Sequence, residues 1–411
     1  MPIVLLAILA FAIPVDARYR CKNMEGNDVD WYVAIKLPAN IDERNGRSFA
    51  YFDSTQTGWV FSKQPINSTD SAIGATVNQL YNSDNGTTFK IAYNDDCPGK
   101  QVDSGRGHSK GVAVFNIESG FWLVHSVPNF PPPGKYDYPE TGSKFAQSFV
   151  CLSLDANSLE DISQYMRYSQ VTPFITNLPK NFETLAPHLV DVVNKKSLGR
   201  SDTRFTTSHD IETVGHKRVK FFAKHKKFGR DLWHDFIALY LRTPMAVETW
   251  RNGAAVNVGT QCDLNNVYDI TSVKVANKEF ASSKDHSKWG VSMKESVPAV
   301  CIGDVNRQQS QFKRGGGAVC IEDAKLWRTF RGSVNSYLDC GEVQERKTSP
   351  KEKGKKFKGK KSGKGNKNGT MTIRKAKEIL RRAKLGKRRW QGTFKKNQFK
   401  KTKKELNRLQ E

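Results

Sequence analysis

His108-Ser109-Lys110 and His286-Ser287-Lys288 each set an imidazole two positions from an ammonium, and the chain carries this arrangement twice, once in each half. An asparagine follows each copy at a nearly equal interval, Asn129 after His108 and Asn306 after His286. On a strand, residues i and i+2 share a face, so each histidine would project beside its lysine. A returning antiparallel strand, residues 121–127 in one copy and 298–302 in the other, would bring the asparagine alongside. Packed face to face, the two copies would surround one phosphate with two imidazoles, two ammonium groups and two amides. One neutral imidazole can then attack phosphorus while the other, protonated, donates to the leaving oxygen. Water resolves the resulting phosphohistidine, with the second histidine as base. Lys110, Lys288 and the amides of Asn129 and Asn306 would hold the nonbridging oxygens. The lysines bring the positive charge themselves, so the chemistry calls for no metal and no cofactor. One imidazole must be neutral and one charged, which makes activity a bell set by the constants of the pair. With an ordinary histidine near ~6.5, the optimum is acidic to near-neutral.

A lone His-x-Lys is weak in a Lys-rich chain, and His225-Lys226-Lys227 supplies an internal control. No asparagine stands at the matching interval after His225, and the tripeptide reads as a solvated basic face. The elements that must position the two longer motifs read as mixed α and β. Strands are expected at 31–37, 111–117, 121–127 and 298–302, bounded by Gly, Pro, Asn and Asp. Helical spacing of Phe222, Phe228, Leu232, Phe236 and Leu239 predicts a helix over 221–241. Pro131-Pro132-Pro133 makes 129–139 a loop or polyproline segment.

Charge divides the 411 residues unevenly. Residues 341–411 hold 27 Lys+Arg against 6 Asp+Glu, or +21, while 1–340 hold 39 against 35, or +4. The polyanion affinity that a basic balance implies therefore belongs mainly to the tail, for which DNA and anionic membrane are the expected partners. Lys, Gly and Asn dominate 347–368, a composition expected to be disordered, and 371–385 has the spacing of a basic amphipathic helix. At the other end, the apolar run 3–14 is too short to span a bilayer, and Val15-Asp16-Ala17 suits signal peptidase, so the mature chain is expected to start at Arg18. No later segment reads as a membrane anchor. Seven cysteines without a C-x-x-C pair fit disulfides in an oxidising compartment, with connectivity left open and one thiol over. Asn67, Asn85 and Asn368 head glycosylation sequons. The expected division is a signal peptide at 1–17, halves at 18–160 and 161–340 with one motif each, and a tail at 341–411.

The paired motifs resemble the phospholipase D superfamily, and their flanks closely resemble deoxyribonuclease II. The resemblance runs through Asp30-Trp31, Gly107-His108-Ser109-Lys110-Gly111-Val112, and Gly120-Phe121-Trp122-Leu123-Val124-His125-Ser126-Val127-Pro128-Asn129-Phe130-Pro131-Pro132-Pro133. It continues in Lys227-Phe228-Gly229, Asp285-His286-Ser287-Lys288-Trp289, Gly303-Asp304-Val305-Asn306-Arg307 and Arg314-Gly315-Gly316-Gly317, covering about 21–340. It implies a pseudo-dimer of two mixed-sheet α/β/α halves, and metal-independent cleavage of double-stranded DNA leaving 3′-phosphate and 5′-hydroxyl ends. It further implies work in lysosomes or secretions, as a monomer or homodimer. Disulfides Cys21–Cys151, Cys262–Cys340 and Cys301–Cys320 are implied, with Cys97 over, and so is an active-site role for His125. The aspartate that the superfamily pattern sets shortly after the first lysine is absent, where Phe115-Asn116 stand, while Asp304 is available to the second half. A reading of a different class is a non-catalytic cationic DNA- or membrane-binding protein on a degenerate nuclease body. A phospholipase is a third.

Overall fold

The structure, a computed structural model, describes residues 18–342, all within one compact unit. The signal segment, the Asn368 sequon and the basic tail lie outside these residues.

Two large sheets carry the fold. The first joins β1 (Trp31–Lys36), β2 (Phe49–Asp53), β3 (Val60–Phe61), β4 (Phe89–Asn94), β5 (Lys110–Phe115), β6 (Ser119–His125), β7 (Gln147–Asp155) and β8 (Pro173–Asn177) in the order β8-β4-β5-β6-β7-β1-β2-β3. The second joins β9 (Thr206–Glu212), β10 (Arg218–Lys224), β11 (Met245–Glu248), β12 (Val267–Val275), β13 (Lys278–Ala281), β14 (Trp289–Ser292), β15 (Ala299–Gly303), β16 (Gly316–Glu322) and β17 (Val334–Leu338). Its order is β9-β10-β16-β15-β14-β11-β12-β13, with β17 against β12. The expectation of α/β architecture holds. That of two mixed sheets is corrected for the first, which is antiparallel throughout. Only the β11–β12 pair of the second sheet is parallel. Short connections such as Asn116–Glu118 suit antiparallel neighbours, whereas a parallel pair needs a longer crossover.

Five strands of each sheet share one plan. β4-β5-β6-β7-β1 and β11-β14-β15-β16-β10 have the same spatial order, the same order along the chain over their first four strands and antiparallel pairing throughout. In both, the fifth strand comes from earlier in the chain than the other four. Each set is followed by a helix, α2 (Leu159–Ser169) after β7 and α3 (Ala324–Ser333) after β16. The inner faces of both sheets and these helices bury one continuous apolar core, in which Trp122 meets Tyr165 edge-on at 4.8 Å and Tyr165 meets Phe221 at 5.6 Å. The outer face of the first sheet is covered by α1 (Ala72–Asn82), started by Ser71, whose hydroxyl accepts from the Gly74 N–H. Trp233–Ala238 covers the outer face of the second.

The helix expected over 221–241 is corrected as well. Residues 218–224 form β10, Lys226–Phe228 one tight turn, and only 233–241 is helical, first as a π-turn. Val219, Phe221 and Ala223 face the inner core while Phe222 faces the outer one, and burial on both faces blurs the two-residue period. Gly229, at φ +71°, ends the turn in the left-handed region. The three implied disulfides are present, Cys21–Cys151, Cys262–Cys340 and Cys301–Cys320, and Cys97 is free and buried. No helix among the described residues is long and apolar enough to cross a membrane.

Candidate active site

Both motifs sit at the mouth of a strand. Lys110 opens β5, and β14 begins directly after Lys288, so His108 and His286 lie just ahead of their strands rather than on them, where i, i+2 alternation would have set them. The strands that return from them are in identical register. Gly111 faces Val124 and Trp289 faces Ile302, which are in both cases the third and sixteenth positions after the motif histidine. This register aligns Ser126 with Asp304 and Pro128 with Asn306, and it sets Asn129 against Arg307. The near-equal intervals to the asparagines therefore hide a one-residue offset, and Asn129 and Asn306 are not equivalent along the strands.

Each motif is held by the opposite sheet's segments. The His108 N–H donates to the Gly315 carbonyl at 2.9 Å, and its Nδ1 stands 2.5 Å from the Asp304 carbonyl. A carbonyl only accepts, so the neutral ring carries its proton on Nδ1 and leaves the Nε2 lone pair free. Ser109 donates to the Asp304 carboxylate, which also accepts from the Gly317 N–H at 2.8 Å and from the Tyr165 hydroxyl at 3.2 Å. In the other direction, the His286 N–H donates to the Ala146 carbonyl at 2.9 Å, and the Lys288 N–H donates to Ser148 Oγ at 3.2 Å. His286 Nδ1 lies 3.3 Å from Gln147 Oε1. Gly315 and Ala146 each directly precede the matching strands β16 and β7, so the exchange is reciprocal. Asp304, expected to serve its own half, in fact serves the first motif. Close approach explains two glycines here: a Cβ on Gly107 or Gly315 would run into the Ser169 carbonyl at the end of α2.

Charge in the site is dense and dry. Lys110 pairs with Asp95, which also receives Arg314 Nη2 at 3.0 Å and lies 4.0 Å from His108 Nε2. Burial alone would raise the Asp95 carboxyl, but Lys110, His108 and Arg314 hold it well below the usual carboxylate range. The Lys288 ammonium is wholly buried and lies 2.5 Å from the His286 carbonyl and 3.3 Å from its Nδ1. Burial, reinforced by Lys110, pushes Lys288 down to about 7. Burial also drives His108 and His286 well below the ordinary histidine value, and the lysines of both motifs depress each ring further. The lysine of each motif thus acts on the histidine of the other as well as on its own.

His125 lies across from Lys110 at the end of the β5–β6 ladder, fully buried against Phe130 and Phe149. Its Nδ1 accepts from the Val127 N–H at 3.2 Å, and its Nε2 is buried without a partner. Asn306 likewise has a buried Oδ1 without a partner. Because Nδ1 of His125 accepts, its Nε2 carries the proton and is a donor, whereas the Asn306 atom is an acceptor. Asn129 is different. Its amide nitrogen donates to Asp96, and its oxygen accepts from Thr141, so its side chain braces the loop after β4.

Asp95, Arg314, Gln147 and Trp250 were missed from sequence. Trp250 occupies in the second sheet the place that Asp95 holds in the first, and its ring lies 5.2 Å from that of His286. Arg314 had a signal in the Arg-Gly-Gly-Gly run. The control histidine is corrected: His225 is fully buried, its Nε2 2.9 Å from Ser197 Oγ and its Nδ1 accepting from the Lys227 N–H, while Lys226 and Lys227 are exposed. No group of three or more His, Cys, Asp or Glu among the described residues is arranged to hold a metal ion.

The buried charge of Lys288 has a measurable cost. Its folded value of about 7 lies below the ordinary 10.5, so the fold opposes its charging, and the full penalty applies at every pH below about 7. Lys288→Met should therefore raise the melting temperature at pH 5 by about 2 °C or more while removing catalysis. Scanning calorimetry that found a lower melting temperature would contradict this account of the site.

Four similarities to known proteins bear on these residues. The family model for deoxyribonuclease II matches residues 20–340. The chain is 43% identical over 327 residues to cell-death-related nuclease 7 of Caenorhabditis elegans, a match that spans 79% of this chain and 89% of that protein. It is also 32% identical over 349 residues to deoxyribonuclease-2-beta of Homo sapiens, spanning 82% and 96%, and 31% identical over 363 residues to deoxyribonuclease-2-alpha of Sus scrofa, spanning 85% and 97%.

Proposed function

Because the chain belongs to the deoxyribonuclease II family, we propose that it is an acid endodeoxyribonuclease that hydrolyses double-stranded DNA without a metal ion. The observation that carries this reading is the reciprocal clamping of the two His-Ser-Lys motifs, which turns two histidines and two lysines from distant parts of the chain into one site. Nε2 of one motif histidine attacks the phosphorus. The other, protonated, gives its proton to the departing 5′ oxygen as the P–O bond breaks. Water then attacks the phosphohistidine, loses a proton to the second histidine and leaves a 3′-phosphate. Lys110 and Lys288 offset the charge of the nonbridging oxygens, which also accept from the buried N–H of His125 and the amide N–H of Asn306. Asp304 is a positioning residue for His108 and Ser109, and Asn129 for the loop that carries Asp95 and Asp96.

The shared five-strand plan supports the finer reading of a phospholipase D-like pseudo-dimer, with its halves divided near residue 160. Three disulfides and exposed asparagines at Asn67 and Asn85 support passage through the secretory route, glycosylation there, and work in lysosomes or outside the cell. Both motifs are intact, which favours catalysis over a purely cationic binding role. The test is plasmid nicking at pH 5 in excess EDTA. Undiminished cleavage is expected, and complete dependence on an added divalent metal would overturn the mechanism.

A further inference from the structure

The loop that delivers His108 leads directly onto an exposed cationic face. Lys226 Nζ lies 3.3 Å from the carbonyl of Gly105, in the run Gly105-Arg106-Gly107-His108, and Arg106 bonds the Lys195 carbonyl at 2.7 Å. Lys227 reaches the Gly199 carbonyl at 3.1 Å and lies over the Phe205 ring. From below, the buried ammonium of Lys224 binds the carbonyls of Gln311, Phe312 and Arg314, tying the exposed Lys313 to the same ridge. Lys195, Arg200, Lys226, Lys227 and Lys313 are all exposed, and none has a carboxylate partner among the described residues. Asp202, the carboxylate between these segments, is engaged by the Gly199 N–H. His225, buried beneath the ridge, is pushed down to about 4 by burial and then by Lys227, Lys226 and Lys224. The body as a whole is only +4, so this concentration of unpaired cations beside the catalytic loop stands out.

A stretch of about three residues spans at most about 11 Å, which sets Gly105, and Lys226 against it, within about three or four base-pair steps of His108. We propose that the ridge formed by Lys195, Arg200, Lys226, Lys227 and Lys313 is the track for the DNA backbone flanking the scissile phosphate. It would contact phosphates on one side of the cut without reading sequence. This rests on the nuclease reading above. Its function is to hold a long polyanion, so it matters for DNA and hardly at all for a single phosphodiester.

The experiment compares the full chain with its Lys226→Gln/Lys227→Gln variant, using plasmid DNA and the small substrate bis(p-nitrophenyl) phosphate across a salt series. Two lost phosphate contacts should lower the slope of log KM against log salt by about 1.8. At low salt, the fall in kcat/KM on DNA should exceed any fall on the small diester by about tenfold or more. Equal losses on both substrates, or an unchanged salt slope, would overturn the track. Anisotropy of a labelled duplex bound to the same double variant made in a His286→Ala background is read without turnover. A weaker, less salt-dependent complex there supports the track even if cleavage itself fails, and an unchanged complex overturns it.

Discussion

Changing His108 or His286 to alanine is expected to lower plasmid cleavage by at least about 10³-fold, because each removes either the nucleophile or the proton donor of a single displacement. The two rings act as one unit, so the double variant should be hardly worse than either single variant. Neither change should unfold the protein. Burial opposes protonation of both rings, and what holds each loop is chiefly its backbone, the His108 N–H on Gly315 and the His286 N–H on Ala146. Melting temperature measured beside nicking rate separates the two effects. Reactions of each variant with labelled substrate, quenched in alkaline denaturant because the P–N bond of a phosphohistidine is acid-labile, would then identify the ring that carries phosphorus. Retention of a tenth of wild-type turnover by either single variant would sink the two-histidine mechanism.

A second large effect is the response to pH. From pH 6 to pH 8, kcat/KM should fall by more than about 10²-fold, a factor of ten per unit coming from the donor histidine alone. Burial, together with Lys288 and Lys110, sets both motif histidines below the ordinary value, so the protonated donor is a minority species at neutrality and grows as pH falls. Lys288, with a value of about 7, loses its charge in the same interval and steepens the alkaline limb. Stability moves the other way. A histidine with a lowered folded value favours the unfolded chain as pH drops below about 6.5. Asp304, raised by burial to about 6, offsets part of this. Its contribution is full below the ordinary 3.8 and lost as pH climbs through about 6. A profile that is flat or rising between pH 6 and 8 would contradict these environments.

The sequence made the chemistry more legible than its support. The motif residues and the hairpins that follow them could be read because an antiparallel pair with a short turn is local. Asp95 could not, since it lies 15 residues before Lys110 in an Asn-Asp-Asp run that reads as a turn, and only the β4–β5 register brings it to the ammonium. The repeated asparagine was overread, because distance along a chain does not report a one-residue offset after a strand. The false helix at 221–224 has a related cause: a strand buried on both faces loses the alternation that identifies it. The disulfide pairing was accessible only through family resemblance.

The exchange of clamps between the two sheets also sets a timetable for activity. His108 depends on Asp304, 196 residues further on, and Gly107 is gripped by Arg314 across 207 residues. At about 5–20 residues per second, a ribosome needs roughly 10–40 s to supply that missing half. Throughout that interval the nascent chain carries a complete first motif but no assembled catalyst. Activity is thus tied to completion of the second sheet, and a fragment ending before Asp304 would carry the first motif without its clamp.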